Sequence, residues 1–260
     1  MTSNTTTTGS IKNHTVVIVG GGAAGISVAS SIHKRDSNID IAIVEPATRH
    51  HYQPGWTMVG GGVFRPEVTS KPMSEVMPKF VSWYQQPVTA IDQDNNQVTL
   101  GDGSSVAYNA LVLAPGLELN WGGIEGLEEA LGSNGVTSNY REGMASYTWD
   151  MVQSLKKGRA LFSQPPMPIK CAGAPQKAMY LSADYWLKHG VLSNLDIQFH
   201  NAGAVLFGVA DYVPALEAYI EKYGIDLNFQ STLVAVNGPA KTAVFRSTDG
   251  EGNSREREVS

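Results

Sequence analysis

A glycine-rich segment follows an apolar run near the amino end, with glycines in the spacing G-x-G-x-x-G at Gly20, Gly22 and Gly25. In this spacing Gly20 makes a tight turn, Gly22 lets a pyrophosphate approach the backbone, and Gly25 lets a strand and a helix pack closely. The helix that follows directs N–H groups and a partial positive charge toward a phosphate. The three glycines therefore predict a dinucleotide-binding turn.

The flanking segments supply the strand–turn–helix–strand context that this turn requires. Thr15–Val19 is a β-branched run typical of a strand buried on both faces. Apolar residues at helical spacing predict a helix up to Arg35, and a second buried strand over Ile39–Val44 precedes Glu45. An acid at that position accepts hydrogen bonds from ribose hydroxyls and disfavours a 2′-phosphate. The fingerprint alone leaves open whether the dinucleotide is FAD or NAD.

Composition indicates a globular protein and excludes several function classes. The 260 residues are 42% hydrophobic and 17% charged, with a net charge of −5. No basic run suggests nucleic-acid binding, and no apolar run approaches the ~18 residues of a membrane span. We predict a disordered tail over residues 1–13, without the apolar core of a signal peptide.

The sequence gives little support for a metal site or for a disulfide framework. The single cysteine excludes an intrachain disulfide framework and a zinc site built on cysteine pairs. His50 and His51 lie in the segment after Glu45, but no cluster of acids or cysteines accompanies them. We expect the segment Arg49–Gln53 to line the edge of a cofactor, and we predict no metal site.

The chain divides into two predicted Rossmann-like α/β domains, over residues 14–120 and 121–260. The first carries inserted antiparallel strands, with a hairpin turn at Gly101–Gly103. We predict a short helix over Thr69–Phe80, interrupted by prolines, and separate strands over Ser105–Tyr108 and Ala110–Gly116.

The second domain lacks the glycine fingerprint at the place where a nicotinamide-binding domain carries it. A predicted strand over Arg159–Ser163 leads into Pro165, Pro166 and Pro168, before a helix that starts near Ala174. Proline has no N–H, so this segment cannot form a phosphate-binding nest. The sequence therefore argues against a nicotinamide site here.

Cys171 occupies this strand-to-helix junction instead, and two interpretations of it stay open. The dipole of the following helix, together with Lys170 and Lys177, would lower the pKa of the thiol from its reference of about 8.5 and favour a reactive thiolate. A lone cysteine is also commonly a buried structural residue. The residues alone do not decide between the two.

Three motifs together resemble the sulfide:quinone oxidoreductase family, of the type close to the mitochondrial enzyme. They are the fingerprint Val16–Gly25 with Glu45, the segment Arg49–Pro54, and the segment Lys170–Ser182 around Cys171. The resemblance covers nearly all of residues 14–258. It implies an FAD flavoprotein of the pyridine nucleotide–disulfide oxidoreductase superfamily, with a glutathione-reductase-like fold of two dinucleotide-binding domains.

The resemblance also implies a reaction and a set of site residues. Sulfide attacks a cysteine disulfide or trisulfide, a cysteine thiolate passes electrons to the flavin, and a quinone reoxidises it. The sulfane sulfur then leaves to a small acceptor. Cys171 corresponds to the first redox cysteine, on the flavin side. The expected FAD contacts are Gly20, Gly22, Ala23, Ala24, Gly25, Glu45, Gln53 and Val88.

In this family the second redox cysteine, the quinone pocket and the membrane-contacting helices lie beyond the last residue of this sequence. We therefore expect the chain to be an amino-terminal portion of such an enzyme, with an incomplete second domain. Membrane attachment would be peripheral, on the mitochondrial inner membrane or the cytoplasmic face of a bacterial inner membrane. Two alternatives stay open: an NAD(P)H-dependent flavin quinone reductase, which the three prolines disfavour, and a truncated FAD-binding module without activity.

Overall fold

The computed structural model describes residues 11–248 and 252–260. Residues 1–10 of the predicted tail lie outside the described residues. Its last two residues, Lys12 and Asn13, belong to the first strand, because they pair with the strand that contains Val106 and Ala107.

The helices and strands follow one another in a mixed α/β order. Up to residue 118 they are β1 (Lys12–Val19), α1 (Ala23–Arg35), β2 (Ile41–Val44), β3 (Arg49–His51), α2 (Pro54–Gly60), β4 (Ser70–Pro72), α3 (Met73–Val76), β5 (Ser82–Tyr84), β6 (Val88–Asp92), β7 (Gln97–Leu100) and β8 (Ser105–Leu113). After residue 118 they are α4 (Leu127–Ala130), α5 (Met144–Ser154), β9 (Gly158–Gln164), α6 (Gly173–Lys188), β10 (Leu195–Asn201), α7 (Val213–Tyr223), β11 (Asp226–Phe229), β12 (Ser231–Asn237), β13 (Thr242–Thr248) and β14 (Ser254–Val259).

Contacts between residues divide the chain into two compact units. The first comprises the described residues up to Tyr52 and the segment Ser70–Glu118. The second comprises Gln53–Thr69 and the described residues from Leu119 onward. This division differs from the predicted domains, since the segment Gln53–Thr69 belongs with the second unit.

The first unit is built on a six-stranded sheet in the order β5-β2-β1-β8-β7-β6. Strands β5, β2, β1 and β8 are parallel, whereas β7 and β6 add antiparallel pairs at one edge. All four residues of β2 are buried, as are Val16, Val17 and Ile18 in β1. Their continuous apolar runs are what a parallel strand covered on both faces requires.

Two local predictions in this unit are wrong. The two strands predicted over Ser105–Tyr108 and Ala110–Gly116 are one strand, β8, because no glycine or proline interrupts the chain between them. Its first residues pair with β1 on one side and with β7 on the other. The predicted hairpin between β7 and β8 is confirmed, with Gly103 at a φ of +83° in the turn.

The helix predicted over Thr69–Phe80 is also wrong. Ser70–Pro72 forms strand β4, which pairs with β3, and only the four residues of α3 are helical. Pro72 stands at the N-cap of α3, and Pro78 lies just beyond its end. Because proline is excluded from a helix interior, two prolines six residues apart leave room for a single turn.

The second unit contains a parallel sheet in the order β11-β10-β9 and an antiparallel sheet in the order β12-β13-β14. Helix α6 covers the parallel sheet with Met179, Ala183 and Trp186, which pack with Ile197 and Phe199 of β10. These helix residues recur at the spacing i, i+4, i+7 of a single helix face.

The indole of Trp186 also completes a neighbouring helix end. Its Nε1–H donates to the carbonyl of Val152 at 2.8 Å, and both residues are buried. Val152 lies in the last turn of α5, where carbonyl groups have no partner within the helix. Trp186 therefore combines apolar burial with the capping of a buried acceptor.

We expect Trp186→Phe to lower the free energy of unfolding by about 2–3 kcal/mol, because the variant leaves the Val152 carbonyl unpaired and opens a small cavity. Urea unfolding followed by circular dichroism measures the change. Leu187→Ala is the control: the neighbouring Leu187 is 43% exposed, so its truncation should change stability by no more than ~0.5 kcal/mol. Equal losses in the two variants would contradict the role given to Trp186.

Candidate functional site

The turn between β1 and α1 depends on a glycine at its first position. Gly20 has a φ of +103°, and its N–H donates to the carbonyl of Val44 at 2.8 Å. A Cβ at Gly20 would lie 2.1 Å from the carbonyl oxygen of Ala114, just after β8. A side chain is excluded here both by the left-handed backbone and by the close approach of a neighbouring segment.

The other two fingerprint glycines differ in what surrounds them. A Cβ on Gly25 would lie 1.9 Å from the carbonyl oxygen of Gly20, so helix and turn are in direct backbone contact there. A Cβ on Gly22 would meet no atom within 4 Å, and this residue is exposed. Gly25 thus serves the packing of the helix, whereas Gly22 leaves the surface of the turn open to a ligand.

The amino end of α1 is arranged as an anion site. Gly22 is its N-cap and offers no side-chain hydrogen bond, and the first turn contains no acidic residue. Ala23 and Ala24 are exposed and too small to cover the N–H groups of that turn. Unpaired N–H groups at a helix start, with the positive end of the helix dipole, attract phosphate.

Glu45 follows β2, and its carboxylate is held beside this turn. One carboxylate oxygen accepts a hydrogen bond from the N–H of Gly21 and the other from the N–H of Ala47, each at 2.7 Å. Trp83 donates its indole N–H to the backbone carbonyl of Glu45 at 2.9 Å. Each carboxylate oxygen keeps a second lone pair for a ribose hydroxyl.

Gly21 is a residue of this turn that the fingerprint does not include. A Cβ at this position would lie 2.8 Å from Cβ and Cγ of Glu45. The missing side chain therefore lets the Glu45 carboxylate reach the Gly21 N–H. The run of three consecutive glycines from position 20 was the available signal. An open N–H cradle beside a fixed acid fits the pyrophosphate and ribose of a dinucleotide.

The two remaining predicted cofactor residues, Val88 and Gln53, belong to different units. Val88 begins β6, three strands away from β1 in the sheet of the first unit, and its side chain packs with the core around Val98 and Leu100. Gln53 belongs to the second unit, where it precedes α2 and is exposed, and its carbonyl accepts from the N–H of Trp56 at 3.0 Å. The described contacts do not join Val88 to the glycine turn.

In the second unit, Cys171 lies on the connection between β9 and α6, as predicted, and its side chain is exposed and unbridged. Its backbone carbonyl accepts from the hydroxyl of Tyr140 at 3.2 Å and from the N–H of Ala174 at 3.3 Å. The sequence did not point to Tyr140, because it lies 31 residues earlier in no recognisable motif. The two hydrogen bonds hold the backbone of Cys171, and the residue is exposed.

The charges around Cys171 are set by its immediate neighbours. The Lys170 ammonium lies 5.7 Å from the centre of the Tyr140 ring. Partial burial lowers the pKa of Lys170, and the negative charge of the Cys171 thiolate opposes that shift. Burial, reinforced by the same charge, raises the pKa of Tyr140 to about 12. Tyr140 is therefore a neutral donor at physiological pH, and Lys170 is the adjacent cation.

This arrangement suits nucleophilic or redox chemistry at sulfur. The thiol precedes α6, a helix of 16 residues whose N-cap, Ala172, offers no side-chain hydrogen bond. Within the described residues, no three His, Cys, Asp or Glu side chains gather as metal ligands. Across residues 11–248 and 252–260, no helix combines the length and apolarity of a membrane span.

Two known proteins of similar sequence have the same name, sulfide:quinone oxidoreductase, mitochondrial. The sulfide:quinone oxidoreductase, mitochondrial, of Dictyostelium discoideum is 43% identical over 243 residues, which are 92% of this chain and 54% of that protein. The protein of the same name from Mus musculus is 37% identical over 94% of this chain and 54% of its own length. The resemblance seen in the motifs is therefore confirmed, and the chain spans about half the length of these curated relatives.

A solved structure and a protein-family model also match this chain. The crystal structure of the sulfide:quinone oxidoreductase from Aquifex aeolicus superposes with a TM-score of 0.77 at 24% identity, covering 95% of this chain and 57% of that one. This match confirms the α/β, Rossmann-like fold. The model of the pyridine nucleotide-disulphide oxidoreductase family, whose members are FAD-dependent flavoproteins, matches residues 14–149. The chain belongs to the pyridine nucleotide-disulphide oxidoreductase family.

Proposed function

We propose that this chain is the part of a sulfide:quinone oxidoreductase that binds the ADP half of FAD and carries a redox cysteine. The observation that carries the proposal is the contrast between its two strand-to-helix junctions. The junction of β1 and α1 is an open N–H cradle, whereas that of β9 and α6 contains three prolines and an exposed thiol. One junction suits a resident dinucleotide, and the other suits an electron donor other than a nicotinamide.

In the first unit the residues fit FAD through its adenosine and pyrophosphate groups. The N–H groups that follow Gly22 would bind the pyrophosphate, and Glu45 would accept from the ribose hydroxyls. When bound, FAD would take up two electrons from sulfur and release them to a quinone. Gln53 and Val88 are further proposed contacts of the cofactor.

Cys171 would act as a sulfur that alternates between a disulfide and a thiolate. Hydrosulfide would attack one sulfur of a disulfide that includes Cys171. The attacked sulfur gains a persulfide S–S bond to the incoming sulfur, and the other sulfur of the disulfide leaves as a thiolate. Oxidation of hydrosulfide to sulfane sulfur releases one proton and two electrons, and the electrons go on to the quinone. Because Cys171 is the only cysteine in the 260 residues, the second sulfur must come from outside them.

Tyr140 and Lys170 would position and stabilise this thiolate. Tyr140 holds the backbone of Cys171 by its hydroxyl, and a pKa of about 12 keeps that hydroxyl protonated at neutral pH. Lys170 is the neighbouring cation on the chain, and its positive charge favours the thiolate. Neither side chain needs to exchange a proton for this role.

The remaining partners follow from the chemistry. A quinone is lipid-soluble, so an enzyme that reduces it works at a membrane surface, and we propose peripheral attachment. The names of the two relatives favour the mitochondrial inner membrane over the cytoplasmic face of a bacterial inner membrane. The sulfane sulfur would leave to a small nucleophilic acceptor.

Replacing Cys171 by Ser should abolish flavin reduction by sulfide without releasing FAD, because serine cannot form the sulfur–sulfur bond. The measurement is the anaerobic bleaching of flavin absorbance after sulfide is added to the FAD-loaded complete enzyme that contains this chain and the second sulfur. Met167→Ala is the control, since Met167 is 76% exposed on the same loop and should leave the bleaching rate unchanged. NADH is added in a separate arm. Undiminished bleaching by sulfide in the serine variant would refute the role of Cys171, and rapid bleaching by NADH would favour a nicotinamide-dependent enzyme.

Gly22→Ala separates cofactor binding from folding. The added methyl group meets no protein atom within 4 Å but projects where the pyrophosphate would approach. We expect FAD to bind at least about tenfold more weakly, with the free energy of unfolding of the cofactor-free protein changed by no more than ~0.5 kcal/mol. Fluorescence titration with FAD and urea unfolding measure the two quantities.

Gly25→Ala is the matched comparison, because its methyl group would overlap the Gly20 carbonyl and should destabilise the cofactor-free protein by several kcal/mol. FAD binding that is unchanged in the Gly22 variant would rule out the proposed path of the pyrophosphate.

A further inference from the structure

Three consecutive glycines, at positions 60–62, lie at the end of α2 in close contact with three other parts of the second unit. A Cβ on the first glycine would lie 2.5 Å from Oδ1 of Asn139. On the second glycine it would lie 2.6 Å from Cδ1 of Leu181 in α6, and on the third 2.4 Å from the ring of Trp149 in α5. A methyl group fits at none of these positions unless the neighbour moves, so α2 is held by close packing on three sides.

The contact with Asn139 involves the whole amide group. Its Oδ1, Nδ2 and Cγ lie 2.5, 2.7 and 2.9 Å from the position of a Cβ on Gly60, so the amide lies against the α-carbon of that glycine. The Oδ1 atom is buried and has no hydrogen-bond partner among the described residues. A buried acceptor left unpaired costs about 1–3 kcal/mol, so this oxygen does not hold the side chain in place. Its packing on Gly60 does.

Asn139 belongs to a tight turn that also contains Tyr140. The N–H of Tyr140 donates to Oγ of Ser138 at 3.2 Å, and the N–H of Arg141 donates to the carbonyl of Ser138 at 3.4 Å. Residues joined in one hydrogen-bonded turn do not move independently of one another. A displacement of Asn139 is therefore transmitted to Tyr140.

Tyr140 in turn contacts both residues at the candidate redox site. Its hydroxyl donates to the backbone carbonyl of Cys171 at 3.2 Å, and the ammonium group of Lys170 lies 5.7 Å from the centre of its ring. A movement of Tyr140 thus changes the backbone that carries the thiol and the surroundings of the adjacent cation. A continuous set of contacts joins α2, the turn and Cys171.

We propose that Asn139 is a positioning residue for Cys171: packed on Gly60, it fixes the turn that directs the Tyr140 hydroxyl to the Cys171 carbonyl. The inference rests on the redox role proposed above for Cys171. It adds α2 to the elements that set the reactivity of the thiol. Because α2 begins directly after Gln53, the same packed segment would hold a proposed cofactor contact and the redox loop together.

The test is the rate at which iodoacetamide alkylates the native 260-residue protein, followed by mass spectrometry over a range of pH. Cys171 is the only cysteine in the sequence, so the reaction reports on this thiol alone. We expect Asn139→Ala and Tyr140→Phe each to lower the rate at neutral pH about threefold or more, because the thiolate loses its fixed position beside Lys170. The loss should disappear at alkaline pH, where the thiol is ionised in every variant.

Two double variants show whether Asn139 acts through these contacts. Asn139→Ala combined with Tyr140→Phe should be no slower than Tyr140→Phe alone, because the two residues act in series. Gly60→Ala alone should lower the rate, since its methyl group displaces the Asn139 amide. Combined with Asn139→Ala it should regain most of the original rate, because the new methyl group occupies the space that the amide leaves.

Gly61→Ala is the matched control, since its methyl group makes an equally close contact in the same segment, but with Leu181 in the middle of α6. It should leave the alkylation rate unchanged. An unchanged rate in Asn139→Ala, additive losses with Tyr140→Phe, or an equal loss in Gly61→Ala would each overturn the proposal. Asn139→Ala only removes atoms, so the test stands even if Gly60→Ala does not fold. Alkylation needs neither flavin nor sulfide, so its outcome is separate from the bleaching test of Cys171→Ser.

Discussion

The first unit depends on one close contact, between the backbone of Gly20 and that of Gly25. A Cβ at Gly25 would lie 1.9 Å from the Gly20 carbonyl oxygen, so the helix can start this near to the strand only without a side chain. That proximity aims the first N–H groups of α1 at the carboxyl end of the parallel strands. The same turn accepts the Glu45 carboxylate through the N–H of Gly21. One steric constraint thus creates both the anion cradle and the position of the acid.

The second unit repeats the strand-to-helix architecture without this constraint. Between β9 and α6 the chain passes through Pro165, Pro166 and Pro168, which offer no N–H groups to a phosphate. Cys171 is exposed on this connection, and its backbone carbonyl accepts a hydrogen bond from the Tyr140 hydroxyl. The same topology therefore supports two chemistries, because local backbone composition decides whether the junction binds an anion or displays a thiol.

The sequence predicted the elements whose signals are local. The fingerprint turn, the α1 and α6 helices and the β7–β8 hairpin each depend on residues within a few positions of one another. It did not predict the continuity of β8, because a strand that pairs with one neighbour along part of its length and with two along the rest has no distinct pattern. It also overestimated the helix before Phe80, where pairing of β4 with β3 prevails over local propensity.

The candidate site likewise contains some residues that a local motif identifies and others that only the fold brings together. Gly22 and Glu45 were recognisable because the spacing of a dinucleotide turn is fixed by the geometry of one βαβ unit. Tyr140 was not, since its hydroxyl binds the backbone carbonyl of Cys171, 31 residues further along the chain. A side chain that binds a backbone carbonyl places no requirement on the identity of its partner, so no paired motif records the contact. Residues that position a loop in this way become visible only when the fold brings the two segments together.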